Sequence, residues 1–186
     1  FINGNLSGVQ RSNACIPDEE EKDILEVLTA LVEKSLVIVD EVDGKSRYRM
    51  LVSINEYARE KLLETGMEGS LNKRYLEYYI LKAERIELRV FKDIDEVAPR
   101  DLSPDYTNIQ KALSIGLEQV DLLEKGMRLA GALYPFWKLG GYYLEGLDWC
   151  RRFLTVSGES TDLKIRWKVL FEVLMLEKEI NHIVGD

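Results

Sequence analysis

The chain has 186 residues, 46% of them hydrophobic and 31% charged, a folded composition long enough for one full core or for two small modules. Its 25 Lys and Arg stand against 33 Asp and Glu, so the net charge of −8 repels phosphates overall and a nucleic-acid binder would need a local basic patch. One histidine, His182, and two cysteines, Cys15 and Cys150, exclude a His-rich metal site, a disulfide framework and any triad that needs a second histidine.

The chain opens on Phe1-Ile2-Asn3, with no initiator Met and no signal-type run, and closes inside a helical pattern. It is therefore expected to be a piece of a longer, cytoplasmic protein. The longest apolar stretches, Leu129 to Trp137 and Val169 to Leu176, are too short to span a bilayer. Pro17-Asp18 followed by Glu19, Glu20 and Glu21 reads as a helix start, with acids favoured at the positive end of the helix dipole. Ile24, Val27, Leu28 and Leu31 recur at helical spacing. The β-branched run Leu36 to Val39, the turn signal Asp43-Gly44 and the returning Arg47 to Leu51 predict a hairpin. Ser53 is the expected N-cap of the next helix, with Glu56 at the capping-box position and Ile54, Tyr57, Ala58 and Leu62 as its apolar stripe. Helix, hairpin and helix together outline a winged helix-turn-helix over residues 1–66.

Residues 67–70 read as a linker, and residues 71–186 show helical periods alone. One helix is marked by Leu71, Tyr75, Tyr78, Tyr79 and Leu81. The stretch from Asp93 to Pro104 reads as a loop, with Ser103 or Asp105 capping the second helix. That helix holds Ile109, Ala112, Leu113 and Leu117. A third runs from Leu122 to Leu139, a fourth from Tyr143 to Leu154 and a fifth from Thr161 to Ile183. Pro135 lies inside the third and predicts a kink or break, because it has no N–H and crowds the carbonyl of Gly131, itself suited to close helix approach. The fold class is mainly α: a winged helix-turn-helix with one small β-hairpin, then an antiparallel α-hairpin array. Gly141, Tyr143, Glu145, Gly146, Trp149 and Leu154 fit the second helix of a tetratricopeptide repeat, with Leu133 and Trp137 in the large apolar slots of the first. Tyr134 and Cys150 depart from that pattern.

The stretch Leu31-Val32-Glu33-Lys34-Ser35-Leu36-Val37 resembles a segment of the signal-transduction ATPases with numerous domains, as do Arg47 to Leu51 and Ile54 to Leu62. A second block, Asn108 to Leu113, Leu129 to Leu133, Trp137, Glu145-Gly146 and Trp149, is similar to bacterial transcriptional regulators of the antibiotic-regulatory and LuxR-like types. Those carry an NB-ARC-like ATPase, a winged helix and tetratricopeptide repeats. The resemblance implies ATP or ADP bound by the parent protein but no cofactor held by this chain, which lacks the phosphate-binding loop and the acidic magnesium motif. It also places Leu51 where related ATPases carry a histidine that reads the nucleotide phosphate, and leucine cannot donate that bond.

These readings imply a non-catalytic regulatory segment. Its winged helix would dock on the ATPase module, and its repeats would bind a partner protein or inducer. Direct DNA binding is disfavoured: the helix before the wing carries Glu19, Glu20, Glu21, Asp23, Glu26 and Glu33 against Lys22 and Lys34. Residues 1–66 hold 8 basic and 13 acidic side chains, so the module whose fold most suggests DNA is an acidic one. The alternatives are a DNA-binding winged helix with a helical sensor or dimerisation domain, and a peptide-binding scaffold without an ATPase. No catalytic or metal site is nominated. Candidate partner contacts are Arg128, Lys138, Trp137 and Tyr142; the aromatic cluster of Trp137, Tyr142, Tyr143 and Trp149 is read first as packing between helices.

Overall fold

The computed structural model describes residues 18–42, 44–93, 102–158 and 161–185. The chain is mainly α-helical with one small antiparallel hairpin, and it divides into two units, residues 1–68 and 69–186.

In the first unit, helix α1 spans Asp18–Glu33. Ser35 ends it in the left-handed region (φ 56°), where its N–H bonds the carbonyl of Val32 at 2.8 Å and that of Leu36 the carbonyl of Leu31 at 3.0 Å. A glycine would adopt this conformation without steric cost, so Ser35 holds some strain. Strands β1 (Ile38–Val42) and β2 (Lys45–Arg49) pair from Ile38 with Arg49 to Val42 with Lys45, which leaves the two-residue Asp-Gly loop that the sequence signals. Asp43 lies outside the described residues; Gly44 has φ 69°, as such a turn requires. Arg49 Nε bonds Asp40 at 2.5 Å across the ribbon.

Helix α2 spans Val52–Glu64. The expected cap at Ser53 is displaced: Leu51, extended at φ −61° and ψ 150°, is the N-cap and makes no side-chain bond. The chain leaves β2 already extended, so the helix begins two residues earlier and Ser53 falls within its first turn. Among the described residues of this unit, Val37 is the one buried side chain.

Helix α3 spans Glu68–Asp93. It therefore takes in most of the expected linker; Gly66 (φ 68°) and the flanking Thr65 and Met67 are all that separate it from α2. Its 26 residues make it about 39 Å long. Residues 94–101 of the expected loop lie outside the described residues. A short 3-10 turn, Ser103–Asp105, leads into α4 (Tyr106–Glu118). Asp105 precedes α4 but gives it no side-chain capping bond; its buried carboxylate pairs with Lys82 of α3 instead.

A second 3-10 turn, Val120–Leu122, precedes α5 (Leu123–Ala132). The helix expected from Leu122 to Leu139 is broken as Pro135 predicts: α5 stops at Ala132 and α6 runs Tyr134–Gly140, with Pro135 in its first turn, where a missing N–H costs nothing. Helix α7 spans Tyr143–Val156 and α8 spans Leu163–Gly185, the latter started by Asp162, whose carboxylate accepts from the N–H of Lys164 at 2.7 Å. Helix α8 packs on α7 and on α5, while α4 packs on α5. One buried cluster joins these helices, with Leu76 and Ile80 of α3, Leu113 of α4, Met127 of α5, Trp137 of α6 and Phe153 of α7 at its centre. Gly146 permits a close approach in it: a Cβ there would lie 2.5 Å from the Trp137 ring.

Candidate partner-binding face

Helices α3, α5, α6 and α8 carry a row of interhelical ion pairs. Glu77, Glu84 and Glu87 recur on α3 at spacings of seven and three, one side of the helix. Glu77 pairs with Lys125 at 2.5 Å, Glu84 takes two bonds from Arg128 at 2.5 and 2.7 Å, and Glu87 pairs with Lys168 at 2.8 Å. The last of these spans from α8 to α3. The Lys168 stem lies over Gly131 of α5, whose absent Cβ would sit 3.2 Å from the lysine Cγ and Cδ. The glycine thus makes room for an aliphatic stem between two helices, where close approach of the helices themselves was expected. Lys138 of α6 pairs with Glu179 of α8 at 2.6 Å and lies over the Tyr134 ring. That ammonium draws the Glu179 carboxyl below its ordinary range, and the carboxylate raises Lys138 in return.

One turn beyond Lys168, Glu172 points inward between Val169 and Leu176. It is buried, and its Oε2 has no hydrogen-bond partner. Burial first, then the neighbouring Glu87 charge, raises its pKa from 4.5 to about 8, against the opposing pull of Lys168. The Tyr134 hydroxyl, also buried, has no partner either. Burial and the Glu172 charge push the Cys150 thiol up as well, so Cys150 is a buried, inert thiol among the described residues. Cys15 lies outside them.

The four partner contacts expected from the sequence occupy different environments. Arg128 is half exposed on α5 and engaged by Glu84; Lys138 is engaged by Glu179. Trp137 is fully buried and has no surface to offer. Tyr142, at the α6–α7 turn, is 40% exposed and stacks on Phe136 (centroids 5.4 Å apart) and Tyr106 (5.2 Å). Beside it Gln110 donates to Glu145 at 2.6 Å, tying α4 to α7. Trp149 is buried and Tyr143 half-buried, so this cluster is chiefly interhelical packing.

The outward face of α8 is not among the contacts expected from the sequence. Leu163, Trp167, Phe171 and Leu174 are exposed there at spacings of four, four and three. That spacing was the available signal; the nearly continuous apolar run from Val169 to Leu176 obscured which side faced out. In the first unit, Ile24, Leu25 and Val27 of α1 and Val52, Tyr57 and Leu63 of α2 are exposed, as is Leu51. Among the described residues no cluster of His, Cys, Asp and Glu could hold a metal ion, and no helix is long and apolar enough to cross a membrane.

No protein-family profile matches the chain, and no solved structure matches it. Over 154 residues, 83% of its length, it is 30% identical to proteins described as candidate HTH-type transcriptional regulators of Mycobacterium bovis and Mycobacterium tuberculosis. The match covers 17% of those proteins, so the chain spans about a sixth of the length of the curated relatives it matches. Over 71 residues, 38% of the chain, it is 37% identical to an uncharacterised protein of Mycobacterium bovis, of which the match covers 18%.

Proposed function

We propose that this chain is a non-catalytic regulatory segment of a transcriptional regulator. The observation that carries the reading is the similarity to HTH-type regulators over 154 residues, a length greater than either unit alone, so the likeness reaches both. Residues 18–64 act as a winged-helix module that docks on an ATPase module elsewhere in the protein. Exposed apolar side chains on α1 and α2 support docking, since a helix with no buried residue has its apolar stripe available for another surface. Residues 69–186 act as a tetratricopeptide-like array that receives a partner protein or inducer. The nucleotide state of the ATPase, ATP or ADP, shifts an equilibrium between closed and open assemblies, and a ligand of the array biases it through differential affinity.

A second role for the winged helix, direct DNA binding, conflicts with the carboxylates along α1. Titration with duplex DNA at low salt separates the two. The docking role predicts weak binding and a shallow salt slope; tight binding whose affinity falls steeply with salt would replace it with the DNA-binding role.

A further inference from the structure

Helix α8 has two opposed faces. Val169, Glu172 and Leu176 are buried against the array, whereas Leu163, Trp167, Phe171 and Leu174 are 55–68% exposed. At 100° per residue these four lie in a stripe about 80° wide. Together they expose roughly 500 Å² of apolar surface, near the upper end of what a monomer leaves in water and of a size that is often functional.

The charges around the stripe narrow what covers it. All three acids of α8 are withdrawn: Glu172 is buried, Glu177 pairs with Arg151 at 2.6 Å and Glu179 pairs with Lys138. Lys164 and Lys178 are exposed at the two ends of the stripe, with no acid between them on that face. A symmetric second copy fits this badly. Antiparallel pairing sets Lys164 against the other copy's Lys178, and parallel pairing sets each lysine against itself; both juxtapose like charges on an apolar seam. A flat lipid surface also fits badly, because α8 is held on α5 and α7 by its other face and offers a narrow ridge, not half of a free helix.

We propose that the outward face of α8 docks an amphipathic helix of a partner protein, one with apolar residues at i, i+4 and i+7 and carboxylates flanking that seam. Trp167 and Phe171 fill the seam and Lys164 and Lys178 fix its ends by pairing with the flanking acids. This deepens the partner-binding half of the proposed function. It fails separately from the winged-helix half, which the DNA titration tests.

The test uses the full chain and synthetic 18-residue helical peptides with a leucine seam, one flanked by Glu and one by Lys. Trp167 is the exposed tryptophan while Trp137 and Trp149 are buried, so a blue shift in emission reports docking. The expected result is that the Glu-flanked peptide binds at least tenfold more tightly than the Lys-flanked one at low salt, with the gap closing as salt rises. Trp167→Ala should weaken binding at least tenfold. The double variant Lys164→Glu with Lys178→Glu, confined to exposed positions, should reverse the peptide preference and keep the melting temperature. Equal affinity for the two peptides, or binding without a Trp167 shift, overturns the proposal. So does an emission shift with phosphatidylserine vesicles in place of peptide, or one that appears on raising the protein concentration alone.

Discussion

Glu172 is the residue at which the array departs furthest from ordinary packing. A carboxyl with an unpartnered oxygen among Val169, Leu176 and the Cys150 thiol persists there because it holds its proton. The pH dependence is set by the direction of its shift. With a folded pKa of about 8 and an ordinary value of 4.5, the native state keeps a proton that the unfolded state has released throughout that interval. Its contribution to stability is fully present below pH 4.5 and is lost as the pH rises through about 8, at up to about 1.4 kcal/mol per unit. Glu172→Gln keeps the shape and removes the proton. The variant should be more stable than the parent at pH 8, by up to about 4 kcal/mol, and should show a flatter profile between about pH 5 and 8 in thermal melts. An unchanged profile would mean that Glu172 is ionised and solvated at neutral pH.

Among the elements, the α6–α7 hairpin is closely specified by its glycines and tryptophans. Gly146 lies against the Trp137 indole, and its replacement by Ala would force ring or helix to move. Gly146→Ala should cost about 1–3 kcal/mol in urea unfolding, despite the better helix propensity of alanine. Much of this hairpin was legible beforehand. Gly146, Trp137 and Trp149 are residue types whose size sets helix separation, Gly141 (φ 74°) ends α6 in the left-handed conformation that glycine adopts freely, and Pro135 can stop a helix from within its own sequence. The Asp43-Gly44 turn was legible for the same local reason. Four features were not. Ser53 lost its cap because the backbone leaving β2, a pairing effect, had already started the helix at Val52. Residues 68–70 joined α3 because nothing local stops a helix there, and Gly69 alone does not break one. The outward stripe of α8 and the burial of Glu172 depend on which side meets α5 and α7, and a run apolar on almost every side does not specify that. The expected partner contacts at Arg128 and Lys138 were legible as surface cations, but their engagement by Glu84 and Glu179 needed the fold.

At the scale of the whole chain, the two units differ in how much they bury. Every member of the buried cluster belongs to residues 69–186, while Val37 stands alone among the described residues of the first unit. Residues 69–186 expressed alone should therefore keep helical circular dichroism and melt cooperatively, whereas residues 1–68 alone should lose the α1–hairpin register, seen as collapse of amide dispersion in NMR spectra. A non-cooperative melt of the larger fragment would show that it draws stability from the first unit. Within the array, the Lys168–Glu87 pair joins the final helix to the first one over the top of α5. The first and last helices of the array are thereby linked by a charge pair as well as through the packed helices between them. Because an ion pair at a partly open site weakens as salt screens it, the stiffness of that connection is set by the ionic strength of the medium as well as by the fold.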